Sequence, residues 1–223
     1  CFYHSMKEML EVYSSEGELI GQKEKKALHE EMRKEFIKTG KVSTRHKHVR
    51  LFLLTSNGRI ILQRRSKWKG DNAGLWDKTI GGHVAAGESF DLTMLKECAE
   101  ELGIPSTIVK EEEFEHSVAT TDLHVLAILK KVAFLDNYQS SRKGQDQKEW
   151  VEPNMTQIYI GYYDGSIRFI DQESCGIQVF SRDELKEELT QHPEMFTEDI
   201  KYIMKKFAKL IKPITKINKV LND

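Results

Sequence analysis

A chain of 223 residues, 39% hydrophobic and 31% charged, has the composition of a folded globular protein and is long enough to bury a sizeable core, which excludes a disordered or low-complexity segment. Its formal net charge of −1 supplies no global attraction to nucleic acid or to an anionic membrane, so any such pull must be local. The three cysteines, Cys1, Cys98 and Cys175, lack the spacing of a disulfide framework or a structural metal site and fit a reducing, cytoplasmic setting, and no apolar run approaches the roughly 18 residues of a membrane span.

The chain opens on Cys rather than Met; Met6 is expected to be the natural start, and residues 1–5 are set aside. Residues 11–20, turning at Glu16-Gly17, predict a short hairpin, and 22–39 a charged helix ended by Gly40. Together they predict an N-terminal extension over 1–44, ahead of a main domain over 45–212 and a tail over 213–223. The helix has sparse apolar positions, Ala27, Met32 and Phe36, and either caps the domain or mediates a homodimer. VRLFLLT (49–55) and RIILQRR (59–65) predict strands joined through Asn57-Gly58, followed by a basic and aromatic loop, RRSKWKGDNAGLW.

KTIGGHV predicts a short strand, and Ser89 to Leu102 a helix stopped by Gly103, with Pro105 just beyond. Its apolar stripe is expected to be Leu92, Leu95, Ala99 and Leu102, with Cys98 at the margin. EEFEHSVAT (112–120), HVLAILKKVAF (124–134) and MTQIYIGYY (155–163) predict strands, and the polar segment 136–150 an exposed loop. Ser181 and Glu184 form a capping-box pattern, and 198–212 predicts a closing amphipathic helix. This order lacks the regular alternation of a doubly wound sheet and predicts an α/β (α+β) sandwich with a mixed central sheet.

On the helix that begins near Ser89, Glu97 and Glu101 lie one turn apart with Glu100 beside them, so three carboxylates converge within about 6 Å. A solvated acidic face is the plain reading. Gly81-Gly82, which allow close backbone approach, and Gly87-Glu88, which turn another carboxylate back towards the helix, instead suggest an oxygen-rich pocket for a hard cation such as Mg²⁺.

Gly82, five residues, Glu88, seven residues, then Lys96-Glu97-Cys98-Ala99-Glu100-Glu101-Leu102-Gly103-Ile104 resembles the Nudix box, G-x5-E-x7-R-E-U-x-E-E-x-G-U. The resemblance implies a Nudix α/β/α sandwich and Mg²⁺-dependent cleavage of a small-molecule diphosphate, with Mn²⁺ as a substitute. It implies Glu97, Glu100 and Glu101 as metal ligands with the Gly81 carbonyl completing the set, Glu97 as the base towards water, and Gly82, Glu88 and Gly103 as the remaining box positions. Lys96 replaces the box arginine, keeping the charge and losing the planar fork. At about 1–2 kcal/mol of transition-state stabilisation, this exchange lowers the rate roughly 5- to 30-fold. Glu173 falls where some Nudix enzymes place another acid.

LQRRSKWKGDNAGLWDKTIGGHVAAGES further resembles the Nudix branch close to isopentenyl diphosphate isomerase. There a catalytic cysteine precedes the Gly-His, and here that position is Gly81. His46, His83 and Glu152 match isomerase metal ligands, while Asn154 stands where a second glutamate is expected; each histidine also reads as a packing group. Arg64, Arg65, Lys67 and Lys69 are candidates for substrate phosphate, although Arg64 and Arg65 cannot both point inward from one strand. His83 is a further substrate-facing candidate. Trp76 reads as core cover and Trp68 as cover or a stacking surface.

The expectation is therefore hydrolysis of a nucleoside diphosphate or its derivative. The alternatives are an isomerase-like enzyme, disfavoured by the missing thiol, and a binding or regulatory module that kept the fold without turnover. Nothing in the sequence indicates nucleic-acid recognition.

Overall fold

The run Val49-Arg50-Leu51-Phe52-Leu53-Leu54 sets the layering. Val49, Leu51 and Leu53 enter one core and Phe52 and Leu54 the other, all 2% exposed or less, so this strand is covered on both faces. A computed structural model describes residues 8–169 and 174–214, which leaves Glu173 outside the described residues.

The strands are β1 (Met9–Ser14), β2 (Leu19–Glu24), β3 (Thr44–Leu54), β4 (Ile60–Arg65), β5 (Trp76–Asp77), β6 (Ile80–His83), β7 (Ser106–Ile108), β8 (Ala127–Lys143), β9 (Glu149–Tyr162) and β10 (Ser174–Phe180). The helices are α1 (Lys25–Thr39), α2 (Phe90–Leu102), α3 (Glu111–Thr120), α4 (Arg182–Gln191) and α5 (Glu198–Phe207). The main path runs β10-β4-β3-β9-β8-β7, with β6 on β3, β5 on β4, and the β1–β2 hairpin attached through β1 to β3. β3–β9 and β7–β8 are parallel and the other pairings antiparallel, so the sheet is mixed.

Met94, Cys98 and Leu102 of α2 fill the core on one face, with Ile80 and Val84. Phe114 and Val118 of α3, Leu185 of α4, and Ile200 and Ile203 of α5 fill the other, which completes the expected α/β/α sandwich. A third cluster joins Leu10 and Val12 of the hairpin, Leu28 and Met32 of α1, and Trp150 of β9.

Three expectations change. The segment 112–120 is the helix α3, because Phe114 and Val118 fall one turn apart on its buried side and Glu111, Glu112 and Glu113 suit a helix N-terminus. The segment 136–150 is not a loop: β8 and β9 continue through it as a paired ribbon, Tyr138 opposite Asn154 and Lys143 opposite Glu149. The buried side of α2 is Met94, Cys98 and Leu102, with Leu92 49% exposed, so Cys98 is central rather than marginal. Burial pushes its thiol up to about 12.

Candidate functional site

Three short polar patterns of period two build the floor of the site. His46, His48 and Arg50 share one face of β3; Glu152, Asn154 and Thr156 share the facing side of β9, with His46 opposite Asn154 and His48 opposite Thr156. On β6, which pairs with β3, Gly81 and His83 alternate with Ile80 and Gly82.

α2 enters from the other face. Ser89 caps its first turn by accepting from the Leu92 N–H, and Gly103 ends it in the left-handed region at φ 62°. Glu97 lies directly over Gly82: a Cβ there would fall 1.9 Å from Glu97 Oε1, so only glycine leaves room for the carboxylate. Glu101 is 5% exposed and accepts from Gln63 Nε2 at 3.3 Å. Burial pushes the Glu97 carboxyl up to about 7, so that it holds a proton more readily than a free glutamate does. Glu100 is exposed and lines the same cavity. Lys96 donates to Glu88 Oε1 at 2.7 Å, and Thr93 Oγ1 donates to the other oxygen of that carboxylate at 3.1 Å. Lysine thus holds Glu88 with one bond where an arginine fork would give two.

A second group gathers on the floor. The ligand atoms of His29, His46, His83 and Glu152 lie within 4.8 Å of one another. His46 Nε2 is 2.7 Å and His83 Nε2 3.2 Å from Glu152 Oε1, and His29 Nε2 comes to 3.2 Å of that oxygen without the alignment of a hydrogen bond. Burial holds His83 well below the usual histidine range, leaving a neutral ring with a lone pair. Burial alone would raise Glu152, but Arg142 and the three histidines overcome it and keep the carboxylate ionised. Imidazole nitrogens converging on one carboxylate oxygen fit a divalent metal of intermediate softness.

Both groups face one cavity of about 510 Å³. Its remaining wall includes Lys25, Arg65, Lys69 and Lys78. Arg65 turns inward and donates to Asp77 Oδ2 at 3.2 Å, whereas Arg64 turns away, bonding the Gly74 carbonyl at 3.1 Å and lying over Trp76. Lys67 also lies outside the cavity, over the ring of Trp68, which is 79% exposed. Trp76 packs against the core as cover.

The structure therefore brings together Glu97, Glu100, Glu101, Lys96, Glu88, Gly81, Gly82, His83 and Arg65, and leaves Arg64 and Lys67 apart. Missed from sequence were His29, Lys25 and Lys78, with His48, Gln63 and Arg142 behind them. His48 was within reach: starting β3 at Thr44 rather than at Val49 puts His46, His48 and Arg50 on one face.

Residues 44–203 match the family model described as "NUDIX domain". The chain is 25% identical over 200 residues to an isopentenyl-diphosphate Delta-isomerase of Serratia proteamaculans, covering 90% of this chain and 91% of that one. It is 38% identical over 61 residues to the uncharacterized Nudix hydrolase PA4841 of Pseudomonas aeruginosa, 27% of this chain and 36% of that one. Among solved structures, DR0079 of Deinococcus radiodurans superposes with a TM-score of 0.57 at 17% identity, covering 89% of this chain and 98% of that one.

Proposed function

The chain belongs to the NUDIX domain family, and from that premise we propose that it is a divalent-metal-dependent hydrolase of a small-molecule diphosphate, a nucleoside diphosphate or its derivative. One observation carries this reading: Glu97, Glu100 and Glu101 edge the same cavity as Arg65, Lys69 and Lys78, placing anionic and cationic walls around a space of about 510 Å³. A diphosphate bridges such walls.

Glu97, Glu100 and Glu101, with the Gly81 carbonyl, would hold Mg²⁺ or Mn²⁺, whose bound charge stabilises phosphoryl oxygens and acidifies water. Glu97, placed at the cavity over Gly82, accepts the proton of the attacking water. Lys96 keeps Glu88 fixed behind the helix, Gln63 holds Glu101 in place, and Arg65 and Lys69 orient the substrate phosphates. The proposed setting is cytoplasmic, which suits the unpaired thiols of Cys98 and Cys175; among the described residues no helix is long and apolar enough to cross a membrane.

A second reading, isomerase-like chemistry on an alkenyl diphosphate, draws on the His29, His46, His83 and Glu152 group and on the printed name of the Serratia relative. Against it, position 81 offers no proton-carrying side chain.

Product release from nucleoside diphosphates, triphosphates, nucleotide sugars, dinucleotides and isopentenyl diphosphate with Mg²⁺ or Mn²⁺ separates the readings. Metal-dependent phosphate-bond cleavage that falls about 100-fold or more in Glu97→Gln is expected. Rearrangement of isopentenyl diphosphate without phosphate release would replace hydrolysis by the second reading. Tight binding without turnover would leave a binding module.

A further inference from the structure

Lys78 lies in the turn between β5 and β6 and is 4% exposed, yet it lines the cavity. Its side chain runs through the volume that a residue at position 81 would need: a Cβ on Gly81 would fall 2.2 Å from Lys78 Cε and 3.2 Å from its Nζ. Glu97 closes over Gly82 in the same manner from the other side. Two adjacent bare glycines thus admit a carboxylate from one face of β6 and an ammonium from the other.

The charge around that ammonium does not balance. Lys78 Nζ meets Asp199 Oδ2 at 2.7 Å and both oxygens of Asp77 at 3.1 Å. Arg50 Nε also donates to Asp199 Oδ2, at 3.0 Å, and Arg65 Nη1 to Asp77 Oδ2, at 3.2 Å. Three cations, Arg50, Lys78 and Arg65, therefore share two carboxylates. The neighbouring Arg142–Glu152 pair is neutral as a unit. Asn154 meets Arg50 Nη1 at 3.0 Å with an amide oxygen, where a carboxylate would have cancelled the surplus. Arg50 Nη2 is buried with no hydrogen-bond partner. This cluster thus carries one more positive charge than the two carboxylates it touches, which favours an anionic ligand at this side of the cavity, opposite the glutamates of α2.

We propose that Lys78 is a substrate-binding residue that releases one oxygen of Asp77 to receive a phosphoryl oxygen of the diphosphate across the cavity from Glu97, and that Gly81 is kept bare to let it through. This rests on the diphosphate-hydrolase reading and names the group that selects for it.

Calorimetric titration of the full chain with inorganic pyrophosphate, without divalent cations, tests the proposal without turnover. A parallel titration with Mn²⁺ alone reports on the carboxylate side. Gly81→Ala adds a Cβ that only the flexible end of Lys78 must avoid, so this variant displaces the ammonium while leaving the buried charges in place. Its pyrophosphate affinity is expected to fall about tenfold or more, as loss of a charge-assisted bond does. Lys78→Met, with folding checked by its melting temperature, is expected to show the same loss, with Mn²⁺ affinity lowered by no more than about twofold; if it does not fold, the pyrophosphate titration of Gly81→Ala decides alone. Pyrophosphate affinity unchanged in either folded variant, no metal-free binding by the wild type, or an equal loss of Mn²⁺ affinity in Lys78→Met would overturn the assignment. Failure of every compound to be hydrolysed leaves this titration intact, so the two readings fail separately.

Discussion

Gly82 owes its identity to Glu97. Any side chain there must displace the Glu97 carboxylate, whose Oε1 would lie 1.9 Å from the new Cβ. Gly82→Ala is expected to cut turnover about 100-fold while the melting temperature moves by only a few degrees, because a shift near 1 Å at a reacting group costs far more in rate than in stability. Steady-state kinetics beside a thermal melt checks this, and equal turnover would remove Glu97 from the reaction. At this scale the sequence was informative where spacing alone carries meaning: Gly82, Glu88, Glu97, Glu100 and Glu101 do converge on one cavity. It was silent on Lys78 and His29, whose surroundings come from distant segments and leave no local pattern.

α1 shows how an element can be located from sequence while its seat stays open. Its boundaries follow from a charged run and Gly40, but the sparse Ala27, Met32 and Phe36 leave both a cap on the domain and a homodimer contact open. The buried pair is Leu28 and Met32, each 1% exposed, meeting Leu10, Val12 and Trp150. A two-residue stripe suffices because the hairpin and β9 supply the rest of that core. Leu28→Ala is therefore expected to cost about 2–4 kcal/mol, read as a lower urea midpoint with unchanged slope. A cost under about 0.5 kcal/mol would mean that α1 is not seated. α3 was missed for a related reason: its β-like run of Phe, Val and Thr spoke for a strand, and packing against Tyr162 and Ile160 of the sheet chose the helix instead. The β8–β9 ribbon reads as a loop because 136–149 is mostly polar; backbone pairing sustains it, and Trp150 ties it to the core under α1.

The sandwich as a whole is tied by charges that cross it. Asp199 of α5 holds Arg50 of β3 and Lys78, and accepts from Tyr138 of β8 at 2.8 Å, while Asp77 takes Lys78, Arg65 and Thr197. Burial alone would raise both aspartates, but these cations outweigh it and hold them below the usual carboxylate value of 3.8. With folded values below unfolded ones, their stabilisation is complete above about pH 4 and is lost as the pH falls below that. Through this linkage the wild-type melting temperature should hold from pH 7 to about pH 4 and fall between about pH 4 and pH 2. Asp199→Asn should start lower, by about 3–5 kcal/mol at pH 7, and lose less on acidification; parallel curves would refute the linkage. None of this network was legible in advance, since a buried Arg50 inside an apolar run looks like an interruption until Asp199 is brought to it. The seat of α1 has a further consequence, for the order of assembly. Arg33 on that helix meets Asp146, 113 positions later, and Leu28 and Met32 wait for Trp150 in the same region. During synthesis from the N-terminus, at about 5–20 residues per second, the helix and hairpin are made early and wait several seconds for the Trp150 side of their core until the ribbon follows. Until then Leu28 and Met32 have only Leu10 and Val12 to meet, and the imidazole of His29 joins Glu152 only when this late, sequence-distant contact closes. The nascent chain can therefore carry the whole glutamate cluster before its histidine cluster exists.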